Sequence, residues 1–170
     1  MNYIQIPFGS TTYIIFDEHV PHRDEAPSGG EQCDAFIAIL DPTMVTERLA
    51  DQVSIGLLKL HTDWIETMGR GSESLHDRID EKSVALGAQA QVGGGRPMTA
   101  WHEEFDDLDV MAEYVRLGGQ GASRYKLVFV IGPEHSAAYF ADRLRSMLSA
   151  SSPNSRERAT PNGSARRTGS

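Results

Sequence analysis

The chain has 170 residues, is 39% hydrophobic, and carries 24 acidic against 16 basic side chains for a formal charge of −8. That length suits one domain with tails, and no run approaches the roughly 18 apolar residues that would span a bilayer. The single cysteine, Cys33, leaves no internal disulfide to form, and the start MNYIQIPFGS lacks the basic segment and long apolar stretch of a secretory leader, so the expectation is a soluble, cytoplasmic protein.

In chain order, Tyr13 to Phe16 is a short apolar run, read as a strand or a packing arm. His19 to Gln32, with Pro21, Pro27 and Gly29-Gly30, reads as a loop. Residues 1–33 are thus an N-terminal arm and loop, and Cys33 is an inert small hydrophobe at its end. Ala35 to Leu40 is continuously apolar, as a strand covered on both faces should be, and Asp41-Pro42-Thr43 stops it. Val45, Leu49, Val53, Leu57 and Leu60 then recur near helical spacing. Asp63 to Met68 is a second strand, ended by Gly69-Arg70-Gly71. Ser72 or Ser74 can cap the next helix, and Ser74 with Asp77 fits a capping box. Leu75, Ile79 and Leu86 mark that helix's apolar side.

After the loop Gly93 to Pro97, Met98 to His102 is a third strand. Asp106 and Asp107 stand where a helix N-terminus favours negative charge. Leu108, Met111, Ala112 and Val115 form the stripe of that helix, and Gly118-Gly119 closes it. Lys126 to Ile131 is the clearest strand in the chain. Gly132-Pro133 breaks it, and a last helix runs from about Glu134 to Met147. Trp64 and Trp101 read as core residues, with the wall of a pocket as the other reading of Trp101.

Alternating strands and helices predict an α/β domain over residues 34–149: a compact three-layer parallel sheet of about four strands with helices on both faces, flavodoxin-like or Rossmann-like. The commonest solution places these four strands in the order 2-1-3-4. Open parallel sheets bind ligands at the carboxyl ends of their strands. Here those ends carry Asp41, Glu66, Gly69-Arg70-Gly71, His102-Glu103-Glu104, and Glu134-His135. A histidine beside a carboxylate can act as a general acid or base near neutral pH. His102, Glu103, Asp41 and Glu66 are therefore the candidate catalytic residues. In the 2-1-3-4 order the Asp41 turn and His102 would flank one crevice. Trp101, Gly69, Arg70 and Ser72 are the candidate ligand-binding residues; Arg70 and the helix start after Gly71 suit an anion. Asp41, Glu66 and Glu103 also have the oxygen ligands that Mg²⁺ prefers, but no metal-ligand spacing is present and no metal is expected. No phosphate loop, zinc motif or nucleophile elbow occurs, and nothing names a cofactor.

Pro97-Met98-Thr99-Ala100-Trp101-His102-Glu103, with the helix and apolar strand after it, resembles a family of small bacterial α/β domains of unknown function that have an MTTWHE-like strand end. The resemblance covers about residues 34 to 132 and includes the Gly69 that ends the second strand. Met68 stands where the family usually has an aromatic residue. The resemblance implies the α/β fold and draws attention to Trp101, His102 and Glu103. It implies no particular activity.

Three functions fit these residues. One is a binding or regulatory module that recognises a small ligand or a protein at the strand-end rim. Another is a hydrolase using His102 with Asp41, Glu66 or Glu103. The third is an acidic accessory or inhibitor protein for a basic partner. Residues 150–170 hold Arg156, Arg158, Arg166, Arg167 and one acid, Glu157, so this tail is +3 and the rest of the chain −11. The acidic body argues against non-specific nucleic-acid binding by the folded domain. The tail has no large apolar residue and is expected to be disordered. Its deletion, residues 151 to 170, should leave the melting temperature nearly unchanged in a thermal melt; a loss of several degrees would show that it docks on the acidic body.

Overall fold

The computed structural model describes residues 3–16, 33–60, 62–89, 97–119 and 124–151. The expected loop over 19–32, the Gly93–Gly95 loop and the basic tail beyond Ser151 lie outside the described residues. Among the described residues, eleven segments follow one another. Strands β1 (Tyr3–Phe8) and β2 (Thr11–Phe16) come first, then β3 (Cys33–Ile39) and a short 3₁₀ turn, Pro42–Met44. Helix α1 (Glu47–Lys59), β4 (Thr62–Met68), α2 (Ser72–Gln89) and β5 (Met98–His102) continue the alternation. Helix α3 (Leu108–Leu117), β6 (Tyr125–Ile131) and α4 (Ser136–Ala150) complete it.

The strands form one six-stranded sheet in the order β1-β2-β6-β3-β4-β5. Only β1 runs antiparallel to its neighbour. The α/β class with a mainly parallel sheet is as the alternation predicts and is compatible with a Rossmann-like fold. Two expectations fail. The sheet has six strands, not about four, because the N-terminal residues add a hairpin whose second strand pairs with β6. The four expected strands also lie in the order β6-β3-β4-β5, so β4 separates β3 from β5.

Composition explains that order. β3 and β6 are buried along nearly their whole length, and their apolar side chains need cover on both faces and both edges. β5 is short and mostly accessible, so it takes an edge. The hairpin covers the far edge of β6.

Alternate residues of β6 show how the core divides. Leu127, Phe129 and Ile131 join α1 and α2 in one cluster through Val53, Leu57, Leu75 and Ile79. Val128 and Val130 join α3 and α4 in a second cluster through Met111, Val115, Phe140 and Leu144. Within the first, Phe16 and Phe129 stack with centroids 5.1 Å apart.

Local chemistry sets the helix starts. Thr46 caps α1 by accepting from the Leu49 N–H at 3.2 Å. Asp107 caps α3 by accepting from the Asp109 N–H at 2.7 Å. Helix α2 begins at Ser72, so Ser74 lies within the first turn and does not open a capping box. Gly69 has φ +97°, and a Cβ there would stand 2.2 Å from the Ile39 carbonyl oxygen, so only glycine turns the chain from β4 into α2.

Val128 is fully buried on a strand paired on both sides. Val128→Asp should abolish folding, since an unpaired buried carboxylate costs several kcal/mol, on the order of a whole domain's stability. Circular dichroism and solubility check this; soluble V128D protein with a cooperative melt would remove the central place given to β6.

Candidate functional site

The alternation of a strand puts Trp64, Glu66 and Met68 on one face of β4. In register, Glu66 stands between Phe36 of β3 and Ala100 of β5, and Met68 is opposite His102. That face lies under α3. Glu66 is only 1% exposed, so its carboxylate must find partners within the protein. The Trp64 indole N–H donates to Glu66 Oε1. Tyr114 of α3 belongs to the same group, its ring against His102 and its phenol near enough to Glu66 for the carboxylate to raise its pKa. His102 closes the group, with Nε2 at 3.4 Å from Glu66 Oε2. The two atoms are at ion-pair distance but not in hydrogen-bond geometry, and both are buried.

The His102 ring is fixed by aromatic contacts. It stacks on Phe105 with centroids 4.8 Å apart and planes within 7°, and meets Tyr114 at 4.6 Å. Its Nδ1 lies 3.5 Å from the exposed Glu104 carboxylate. One ring nitrogen thus faces a buried carboxylate and the other faces the surface. An imidazole held this way can exchange a proton outward while the carboxylate orients it.

Of the candidate catalytic residues, the fold brings Glu66 to His102 and keeps Asp41 away. Asp41 caps the Pro42–Met44 turn, accepting from the Thr43 N–H at 2.9 Å and hydroxyl at 2.6 Å. Those two bonds hold its carboxyl below the usual carboxylate range. With β4 between β3 and β5, the crevice expected between Asp41 and His102 does not form. Glu103 accepts from the Gly71 N–H at 3.0 Å, and the Gly69 N–H donates to the His102 carbonyl at 3.0 Å. The Gly69–Gly71 turn is therefore tied to the end of β5.

The candidate ligand-binding residues separate. Gly69 and Ser72 are buried and Arg70 is exposed. Among the described residues, the Ser72 Oγ has no hydrogen-bond partner. Trp101 is not a core residue; it is 47% exposed and leans on the His76 ring of α2 at 4.5 Å. It faces the opposite side of the sheet from His102, as successive strand residues do. Among the described residues, no group of three metal-ligating side chains could hold an ion.

Two members of the cluster are not among the sequence candidates. Trp64 reads as core from the sequence, although its i, i+2 spacing from Glu66 is a signal that the two share a face. Tyr114 carries no such signal, because its role depends on which helix crosses β4 and β5.

A groove of about 290 Å³ lies between the first turns of α1 and α2, lined by Val45, Thr46, Glu47, Ala50, Ser74, Leu75 and Arg78. It opens at the strand-end rim, on the opposite sheet face from Glu66. Among known proteins, no family model and no curated protein matches the chain.

Burial first, and then the neighbouring Glu66 carboxylate and the charge of Glu104, raise the Tyr114 phenol well above its ordinary pKa of 10.0. The folded state therefore holds this proton more tightly than the unfolded chain does. The stabilisation is complete below pH 10 and is lost as pH rises toward the folded value. Urea denaturation across pH 9 to 12 should show a shallower loss of stability in Tyr114→Phe than in the wild type. Equal slopes would mean that folding does not raise the phenol's pKa.

Proposed function

We propose that the chain is a binding module, an accessory or regulatory domain that takes a small ligand at the rim where its parallel strands end. The observation that carries this reading is the groove between the first turns of α1 and α2. Its place at the carboxyl ends of β3 and β4 is where open parallel sheets bind ligands. Val45, Ala50 and Leu75 supply an apolar floor, while Thr46, Glu47 and Ser74 supply a few polar groups, the usual lining of a small-molecule site. Arg78 is already engaged by Asp51 at 2.6 Å and Glu81 at 2.5 Å. The ligand is then a compact, largely apolar molecule with hydrogen-bonding groups, not a polyanion. The resemblance to small α/β domains with an MTTWHE-like strand end is in keeping with such a module and adds no activity to it.

A second reading rests on the 3.4 Å approach of His102 to Glu66. In it the chain is a hydrolase whose imidazole, oriented by Glu66, takes a proton from water at the surface-facing nitrogen. Glu66 is favoured over Glu103 as the imidazole's partner, since the Glu103 carboxylate accepts from the Gly71 N–H.

A thermal-shift screen of metabolites separates the two readings, because a ligand that binds the folded state raises its apparent stability. The expected hit stabilises the wild type and His102→Gln alike. It loses its effect in Ser74→Tyr, which fills the groove from an exposed position. A hit that survives Ser74→Tyr and disappears in His102→Gln transfers the site to the Glu66–His102 cluster.

A further inference from the structure

The edge of the sheet at β5 combines three features that the groove does not explain. Among the described residues no strand lies beyond β5, which pairs only with β4. An unpaired edge is a template for another strand, and proteins usually blunt it with charges or proline. β5 itself, Met98-Thr99-Ala100-Trp101-His102, has no lysine, arginine, acid or proline. Instead it displays Met98 at 59% and Trp101 at 47% exposure. Trp101 is held in place rather than loose, since its ring rests on His76.

Carboxylates flank this edge on both faces. On the α2 side, Asp77 and Asp80 lie 3.3 and 3.8 Å from the two nitrogens of His76, beneath Trp101. On the α3 side, Glu104 stands 3.5 Å from His102, and exposed Asp106 follows it. Asp109 and Glu113 farther along have their own arginines, Arg143 and Arg116. Among the described residues, Asp77, Asp80 and Glu104 have only histidines as cationic neighbours. Residues 97 to 115 contain no lysine or arginine at all. A hydrophobic edge between two acidic margins is matched by an extended chain of opposite charge.

We propose that the free edge of β5 is a docking site for an extended, arginine- or lysine-bearing segment of a partner protein. The segment adds a seventh strand to the sheet, lays a basic side chain on Trp101 beside Asp77 and Asp80, and turns its alternate side chains toward Glu104. Main-chain hydrogen bonds supply the affinity of such strand addition, and alternate side chains supply its specificity. The face of the Trp101 ring attracts a guanidinium or ammonium. This site lies apart from the α1–α2 groove, so either can fail without the other.

The test uses the full chain and a fluorescein-labelled peptide of alternating arginine and valine, read by fluorescence anisotropy. Two controls are an alternating glutamate–valine peptide and an arginine–valine peptide N-methylated at alternate residues, which keeps its charge but cannot complete a ladder. The expected result is saturable binding of the first peptide only. Trp101→Thr, a strand-compatible change at an exposed site, should weaken it at least about tenfold, the loss of one cation–π contact with its buried area. Asp77→Asn with Glu104→Gln should weaken it and reduce its salt dependence. Equal binding of the N-methylated peptide, or an unchanged affinity in Trp101→Thr, overturns the proposal. So does a chain ending at Ser151 that binds tenfold tighter than the full chain, which would make the basic tail the occupant. Concentration-dependent dimers that ignore the peptide overturn it in favour of a second copy.

Discussion

A carboxylate buried on the strand next to the sheet's β5 edge sets the terms for one whole end of this molecule. Glu66 occupies a position on β4 flanked in register by Phe36 and Ala100, where an apolar residue would cost nothing. Burying it without partners would cost several kcal/mol. The surroundings offset part of that cost, with one hydrogen bond to Oε1 and an imidazole at ion-pair distance from Oε2. Trp64 supplies an indole N–H from the same strand, His102 an imidazole from β5, and Tyr114 of α3 a ring against that imidazole. Because these come from three different elements, the carboxylate couples β4, β5 and α3. The stacking of Phe105 on His102 extends that coupling into the β5–α3 turn.

The other end of α3 is held by a buried charge of opposite sign. Lys126, 7% exposed at the start of β6, donates to the carbonyls of Val115 at 3.0 Å, Arg116 at 3.4 Å and Gly118 at 2.6 Å. A cation at a helix C-terminus meets both the unpaired carbonyls and the negative end of the helix dipole. Burial lowers the ammonium's pKa, while the charges of Asp34 and Glu66 work against that shift. Tyr13 and Phe36 present ring faces to the same ammonium at 5.5 and 5.6 Å. Helix α3 crosses from the edge strand back to the sheet centre. Two buried polar anchors, one on β4 and one on β6, fix where it lands.

The parts of this arrangement that were legible in the sequence are those with a local cause. The apolar runs over 35–40 and 126–131 announced strands covered on both faces, and the stripe through Leu108, Met111 and Val115 announced α3. The rim position of His102 followed from where its strand ends. The strand order did not follow, because pairing is decided by competition among whole strands. A half-polar β5 loses that competition to β6, and a hairpin made from residues 3–16 takes the remaining edge of β6. Trp101 misled for the same reason: a tryptophan in a strand reads as core until the strand proves to be an edge. Glu66 was recognised as a candidate, but its partners Trp64 and Tyr114 depended on which helix covers β4.

The position of β6 between β2 and β3 has a consequence for biosynthesis. Among the described strands, the one that joins the N-terminal hairpin to the rest of the sheet is the last translated. While residues 125–131 are still inside the ribosome, β2 and β3 each present an unpaired edge lined by fully buried-type side chains such as Ile14, Ile15, Ala35 and Ile37. The nascent chain must therefore carry two adhesive edges until β6 emerges and zips both at once, a long-range closure of the kind that folds slowly and exposes intermediates to aggregation.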